Sequence, residues 1–153
     1  MTTSFDIRYD DRFNDQLERG EPYADTGVRL FVGDSVIGGT PDRYSVFAFV
    51  IPLCRKLCEV IPVLVEGDDA EVSFLATSYS LSFDHVRDDE VMIRSSAGEQ
   101  SPAVSLVSLG EAFVHASTEL LEYVEAVNDD LLNDEQVQGL THAISAANAS
   151  LEA

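Results

Sequence analysis

Residues 71–93, EVSFLATSYSLSFDHVRDDEVMI, alternate apolar and polar side chains: Val72, Phe74 and Ala76, then Tyr79, Leu81 and Phe83, then Val91 and Ile93. A period of two places each set on one side of a strand. The phase slips between Ala76 and Tyr79, so a turn or bulge is expected near Thr77-Ser78. Residues 86–90, with Asp88-Asp89 at their centre, join the last two strands as a hairpin.

Working outward, the same alternation recurs at Phe5, Ile7 and Tyr9, at Val28, Leu30 and Val32, and briefly at Val104 and Leu106. Downstream the period changes. Leu109, Phe113, Leu120, Val124, Val127 and Leu131 form an apolar stripe opposite Glu111, Glu119, Glu122 and Glu125, which is the pattern of an amphipathic helix. Ser108 and Glu111 have capping-box spacing at its start. Asn133 is placed to cap a second helix carrying Val137, Leu140, Ile144 and Leu151, and the two helices should pack antiparallel as a hairpin.

Upstream, residues 42–61 place Val46, Val50, Leu53, Cys54, Leu57 and Ile61 at helical spacing with further apolar groups around them, which predicts a helix in the middle of the core. Thr40 is its expected N-cap, Pro41 its first residue, Pro52 a kink and Pro62 its end. Residues 11–20 offer only Phe13 and Leu17 as a stripe and predict a short exposed helix or loop. Strands in front and in the middle with helices elsewhere define an α+β fold. The expectation is one domain over residues 1–153, with an antiparallel sheet of about 4–6 strands packed against a buried, kinked helix and a C-terminal two-helix hairpin.

The charge of the chain is unusual in kind. It carries 28 acidic residues for a formal net charge of -19, yet Lys56 is the only lysine beside eight arginines. Scattered carboxylates with almost no lysine fit a halophilic, haloarchaea-like composition, because hydrated carboxylates keep a surface solvated where the Debye length falls to about 3 Å at 1 M salt. An apolar content of 45% argues against disorder. The expected setting is a cytoplasm of high salt. Residues 1–10 lack the basic start and apolar stretch of a signal peptide, and the run 46–54 is far shorter than the ~20 residues that cross a bilayer. No membrane association and no nucleic-acid partner are expected, since nucleic acids need a basic footprint.

Residues 31–38, FVGDSVIG, carry a Gly-Asp-Ser turn after a strand. The block resembles the first block of GDS-type (SGNH) esterases, and the resemblance implies Ser35 as nucleophile with a histidine, His85 or His142, as its base. The family's Asp-x-x-His is missing: Ser82, Ala112 and Gly139 stand three residues before His85, His115 and His142. The same residues also read as a turn between a strand and a capped helix. No metal or cofactor is expected, because the histidines and the Cys54/Cys58 pair lack zinc spacing and no glycine loop of phosphate-binding type occurs. The leading expectation is therefore a small non-enzymatic interaction or regulatory protein that binds a protein partner or its own copies, with Tyr9, Tyr23, Phe31 and Tyr79 as contact residues. A small serine hydrolase using Ser35 is the alternative.

A salt-adapted fold should be destabilised by dilution into low salt, as the carboxylates lose their screening. Thermal melts over a salt series should show the melting temperature rising with salt; a melting temperature indifferent to salt contradicts the adaptation.

Overall fold

In the computed structural model, which describes residues 2–75 and 77–153, four helices and ten strands are arranged as an α+β fold. The strands fall into two four-stranded antiparallel sheets and a small ribbon. In the first sheet β2 (Asp25–Val32) is the central strand. It pairs along its length with β1 (Thr3–Ile7); on its other side its second half pairs with β3 (Ser35–Ile37) and its first half with β6 (Val46–Phe49). The second sheet runs β10 (Val104–Ser105), β9 (Glu90–Ser95), β8 (Ser80–Arg87), β7 (Ala70–Ser73). The ribbon is β4 (Gly39–Thr40) with β5 (Arg43–Tyr44).

The strands foreseen at residues 5–9, 28–32 and 71–93 are present, with β1 starting two residues and β2 three residues earlier than expected. Thr77-Ser78 lie in the connection between β7 and β8; Ala76 is outside the described residues. A bulge lies between His85 and Arg87, just before the hairpin turn that sets Arg87 opposite Glu90. The short helix is α1 (Asp11–Glu18), capped by Asp10, and its Phe13 and Leu17 are fully buried.

The predicted helix over residues 42–61 is only half right. Helix α2 spans Val50–Val65, and residues 43–49 are extended. Tyr44, Val46, Phe47 and Phe49 are aromatic or β-branched, and Val46 and Ala48 are buried while Phe47 is exposed, so the strand period of two prevails there. Pro52 consequently sits in the first turn, where an amide has no helical partner, and marks a helix start rather than a kink. Pro62 does not end the helix. Ile61 and Leu64 on either side are fully buried, and their packing carries the helix past the one backbone bond a proline removes. Thr40 is no N-cap: its hydroxyl accepts from the Asp42 amide at 3.3 Å and closes the turn of the ribbon.

The predicted cap of the long helix is also displaced. Helix α3 spans Leu106–Val127, with Ser105 accepting from the Ser108 amide, so Ser108 lies inside the first turn. Leu106 is buried and its amide donates to the Asp89 carbonyl, and these two ties start the helix three residues early. After a 3-10 turn, Asp129–Asn133, helix α4 (Glu135–Glu152) is capped by Asp134 rather than Asn133. Helices α3 and α4 do run antiparallel: Leu151, near the end of α4, lies against Gly110, near the start of α3.

Ten of the sixteen residues of α2 are buried, so this helix runs through the core. Between the sheets stands Phe113 of α3, its ring edge-on to Phe5 of β1 at 5.9 Å and to Phe83 of β8 at 6.0 Å. The inward residues of β1, β2, β8 and β9 belong to one hydrophobic cluster with α2, α3 and α4. No helix among the described residues is long and apolar enough to cross a membrane.

Candidate functional site

Because residues opposite one another in an antiparallel ladder point to the same side, the register defines what the first sheet shows to the outside. Val28, Leu30 and Val32 of β2 face the core, so Asp25, Gly27, Arg29 and Phe31 face outward. Phe49 stands opposite Asp25, Phe47 opposite Gly27 and Asp6 opposite Arg29. Tyr44 of the ribbon lies on the same side. A Cβ on Gly27 would come within 2.8 Å of its side chain, so glycine is what lets this ring rest on β2. Tyr23 packs edge-on to Phe49 at 5.8 Å. Five aromatic rings, those of Tyr23, Phe31, Tyr44, Phe47 and Phe49, thus gather on one outward face.

Arg29 organises the middle of this face. Its guanidinium lies over the Tyr44 ring at 4.2 Å and the Phe31 ring at 5.0 Å, stacking geometry that favours arginine over lysine. Its Nε donates to Asp6 at 2.9 Å, and Nη1 donates to the carbonyls of Thr40 and Pro41, tying the ribbon to β2. Tyr44 donates its hydroxyl to the same Asp6 oxygen at 2.6 Å. Burial and that carboxylate push the Tyr44 hydroxyl up to about 12, so it stays a donor at any physiological pH. Arg8 adds a second cation above the Tyr44 ring, at 5.9 Å. Around these fixed groups Phe47 and Tyr23 are 45% and 47% exposed, values high enough to leave both rings free for contact.

At the inner margin of the face, Glu99 joins the two sheets. Its carboxylate accepts from the Gly38 amide at 2.9 Å, the Tyr79 hydroxyl at 2.7 Å and the Ser95 hydroxyl at 2.9 Å. Gly38 has φ +94, and a Cβ on Gly39 would collide with the Arg43 carbonyl oxygen, so the diglycine is what presents this amide to the carboxylate. Desolvation raises the carboxyl, but the bonds from Tyr79, Gly38, Ser95 and Gly39 outweigh it and hold Glu99 below the usual carboxylate range. Burial and Glu99 together raise the Tyr79 hydroxyl.

The residues singled out from the sequence are dispersed. Tyr23 and Phe31 lie on the aromatic face. Tyr79 is occupied by Glu99 and packs on Phe74, though it lines one shallow depression together with Phe47. Tyr9 sits elsewhere, against Phe13 and Tyr123. Ser35 lines an open depression with Thr2, Val32, Gly33, Asp34 and Pro102, and no histidine borders it. His85 spends both ring nitrogens elsewhere, Nδ1 3.1 Å from Asp69 and Nε2 3.0 Å from the Leu64 carbonyl, which fastens β8 to the end of α2. His85's backbone amide and ring hold the Asp69 carboxyl below its usual range. His142 is exposed on α4. Ser35 is therefore not brought together with either histidine. Cys54 and Cys58 are buried, with burial raising both thiols, that of Cys58 to about 11. Among the described residues no three histidine, cysteine or acidic side chains gather in a way that would hold a metal ion.

Tyr44, Phe47 and Phe49 escape the sequence reading because residues 43–49 read as helix, and Arg29, though on a strand read correctly, because its partner Tyr44 comes from that segment. The signal available was the strand-favouring run of Tyr44, Val46, Phe47 and Phe49 ahead of Pro52. No family model matches this sequence, and comparison with curated proteins and with solved structures found no similar protein.

The Glu99 tie has a defined pH dependence. Its folded value is depressed, so its contribution is complete above the unfolded value of about 4.5 and is lost as pH falls through the folded value. Glu99→Gln should lower stability by about 1–3 kcal/mol at neutral pH and flatten the loss of stability below about pH 4.5. Denaturant melts of both proteins across pH check this; parallel profiles refute the tie.

Proposed function

We propose that this chain is a non-catalytic interaction protein of a salt-adapted cytoplasm, and that it engages a protein partner through the outer face of its first sheet. The observation that carries this reading is the gathering of Tyr23, Phe31, Tyr44, Phe47 and Phe49 on one outward face, with Phe47 and Tyr23 nearly half exposed. Aromatic rings and arginine are the side chains most enriched where proteins bind each other. The face is also rigid, because Arg29 ties the ribbon, Asp6 and two rings into a single arrangement and little order remains to be lost on binding.

High salt favours such a surface. Apolar burial, about 25 cal/mol per Å², strengthens in salting-out media, whereas attraction between exposed charges is screened within a few Å. A contact made of rings thus keeps its strength where one made of ion pairs would not. The chain's acidity then serves its solvation and leaves recognition to the uncharged groups on this face.

The test is affinity capture in molar salt with the tagged protein, Phe47→Asp, and Val63→Asp as an exposed apolar control at the end of α2. The expected result is a stoichiometric partner that the native protein and Val63→Asp retain and Phe47→Asp loses. Equal capture by all three, or none by the native protein, would argue against the reading.

A further inference from the structure

We infer that the open depression between α1 and the start of β2 is a binding site for a free α-amino acid. This is a role separate from the contact role of the aromatic face, although Tyr23 borders both.

The buried polar group in the wall of the depression is Gln16. It is only 5% exposed, and what remains open of it lines this space. Its Oε1 accepts from the Asp25 amide at 2.8 Å. A backbone amide can only donate, so that bond fixes which way the carboxamide points and turns Nε2 away from β2. Nε2 has no hydrogen-bond partner among the described residues and is not sealed off from solvent. It is a donor already held in place for an oxygen atom seated in the depression.

Helical spacing sets a cation on each side of it. Arg12 and Arg19 stand four residues before and three residues after Gln16, on the same face of α1 and its C-cap. Arg12 gives one N–H to Asp25 at 2.9 Å and Arg19 one to Glu21 at 3.5 Å, and the rest of each fork is uncommitted among the described residues. Exposed pairs of this kind hold weakly, so both guanidinium groups can also donate to a ligand carboxylate.

One charge in the lining is left over. Asp15 is exposed to the same depression and makes no ion pair among the described residues. A bare anion such as phosphate would have to sit beside that carboxylate. A bare ammonium would face two arginines and leave Nε2 without an acceptor. A ligand that carries a carboxylate and an ammonium on one carbon answers every group, with its carboxylate toward Gln16 and the arginines and its ammonium toward Asp15. The volume of about 470 Å³ lies within the roughly 300–1,000 Å³ of small-molecule sites and leaves room for a side chain beside the exposed Tyr23 ring. Because the depression is open and polar, binding is weak and exchange is fast.

The test is a titration of the ¹⁵N-labelled full chain with L-leucine in molar KCl, following the Gln16 side-chain amide by NMR. Acetate, methylammonium and leucinamide are titrated in parallel. Arg19→Gln and Asp15→Asn, both at exposed positions, and Val63→Asp as a remote control are run after circular dichroism shows them folded. The expected result is a saturable shift with leucine that either site variant weakens at least about ten-fold and Val63→Asp leaves unchanged, with no saturation by acetate or methylammonium. A native protein that leucine does not shift overturns the inference, as does binding that the site variants leave intact. Saturation by acetate alone would make this a simple anion site, and leucinamide binding as tightly as leucine would make the carboxylate irrelevant; either result overturns it too. None of these outcomes bears on Phe47-dependent capture, so this site and the contact face stand or fall separately.

Discussion

The ring of Phe113 is held edge-on by Phe5 of the first sheet and Phe83 of the second, and the rest of the molecule is arranged around that joint. Neither sheet alone has a core to cover, since each has only four strands and must bury its apolar side against something. Helix α3 supplies it by placing one aromatic ring between them, and α2 and α4 fill the remaining space with fully buried Ile51, Leu57, Ile61 and Leu140. Edge-to-face contact aligns ring edges with ring faces, so Phe113 specifies how the two sheets stand as well as holding them. At the margin Glu99 repeats the join with hydrogen bonds, from Gly38, between β3 and the ribbon, to Tyr79, just before β8, and Ser95 of β9.

This joint has a functional consequence. It consumes the inward faces of both sheets, and the small space left between Phe5, Leu30, Phe74 and Leu81 is on the order of one water molecule. Under the proposed function, recognition falls to an outer surface. On the outward side of the second sheet Asp84 and Arg94 pair with each other, Met92 stands opposite Asp84, and Val86 is exposed alone at the hairpin. On the first, the ribbon folds back over β2 and carries Tyr44 onto Gly27, and the rings collect beside it.

The sequence made the C-terminal helices and the β8–β9 hairpin legible because their signals are local: a stripe of period 3.6 on Leu109, Phe113, Leu120 and Val124, and an alternation of period two on Leu81, Phe83, Val91 and Ile93. Caps were harder. Ser105 and Ser108 fit the helix start equally well by spacing, and the choice was made by a distant carbonyl, that of Asp89. At residues 43–49 the apolar residues satisfied both periods, and the ladder with β2, some twenty residues away, decided for strand. The candidate site was illegible for the same reason. Tyr44, Arg29 and Phe31 meet only once the ribbon has folded back, and Glu99 reaches Gly38 across sixty-one positions of chain. The acidity was plain from composition, but composition does not say where charge is thinnest.

The claim that recognition lies outside because the inside is sealed depends on the two sheets opening together. Native-state hydrogen exchange in molar salt reads this directly. The account predicts that the slowest amides of β2 in the first sheet and of β8 in the second exchange with one common free energy, and that Phe113→Ala lowers both together. Separate free energies for the two sheets, with the second sheet's protection lost while the first's is kept, would mean that the inner faces become exposed on their own and would contradict it.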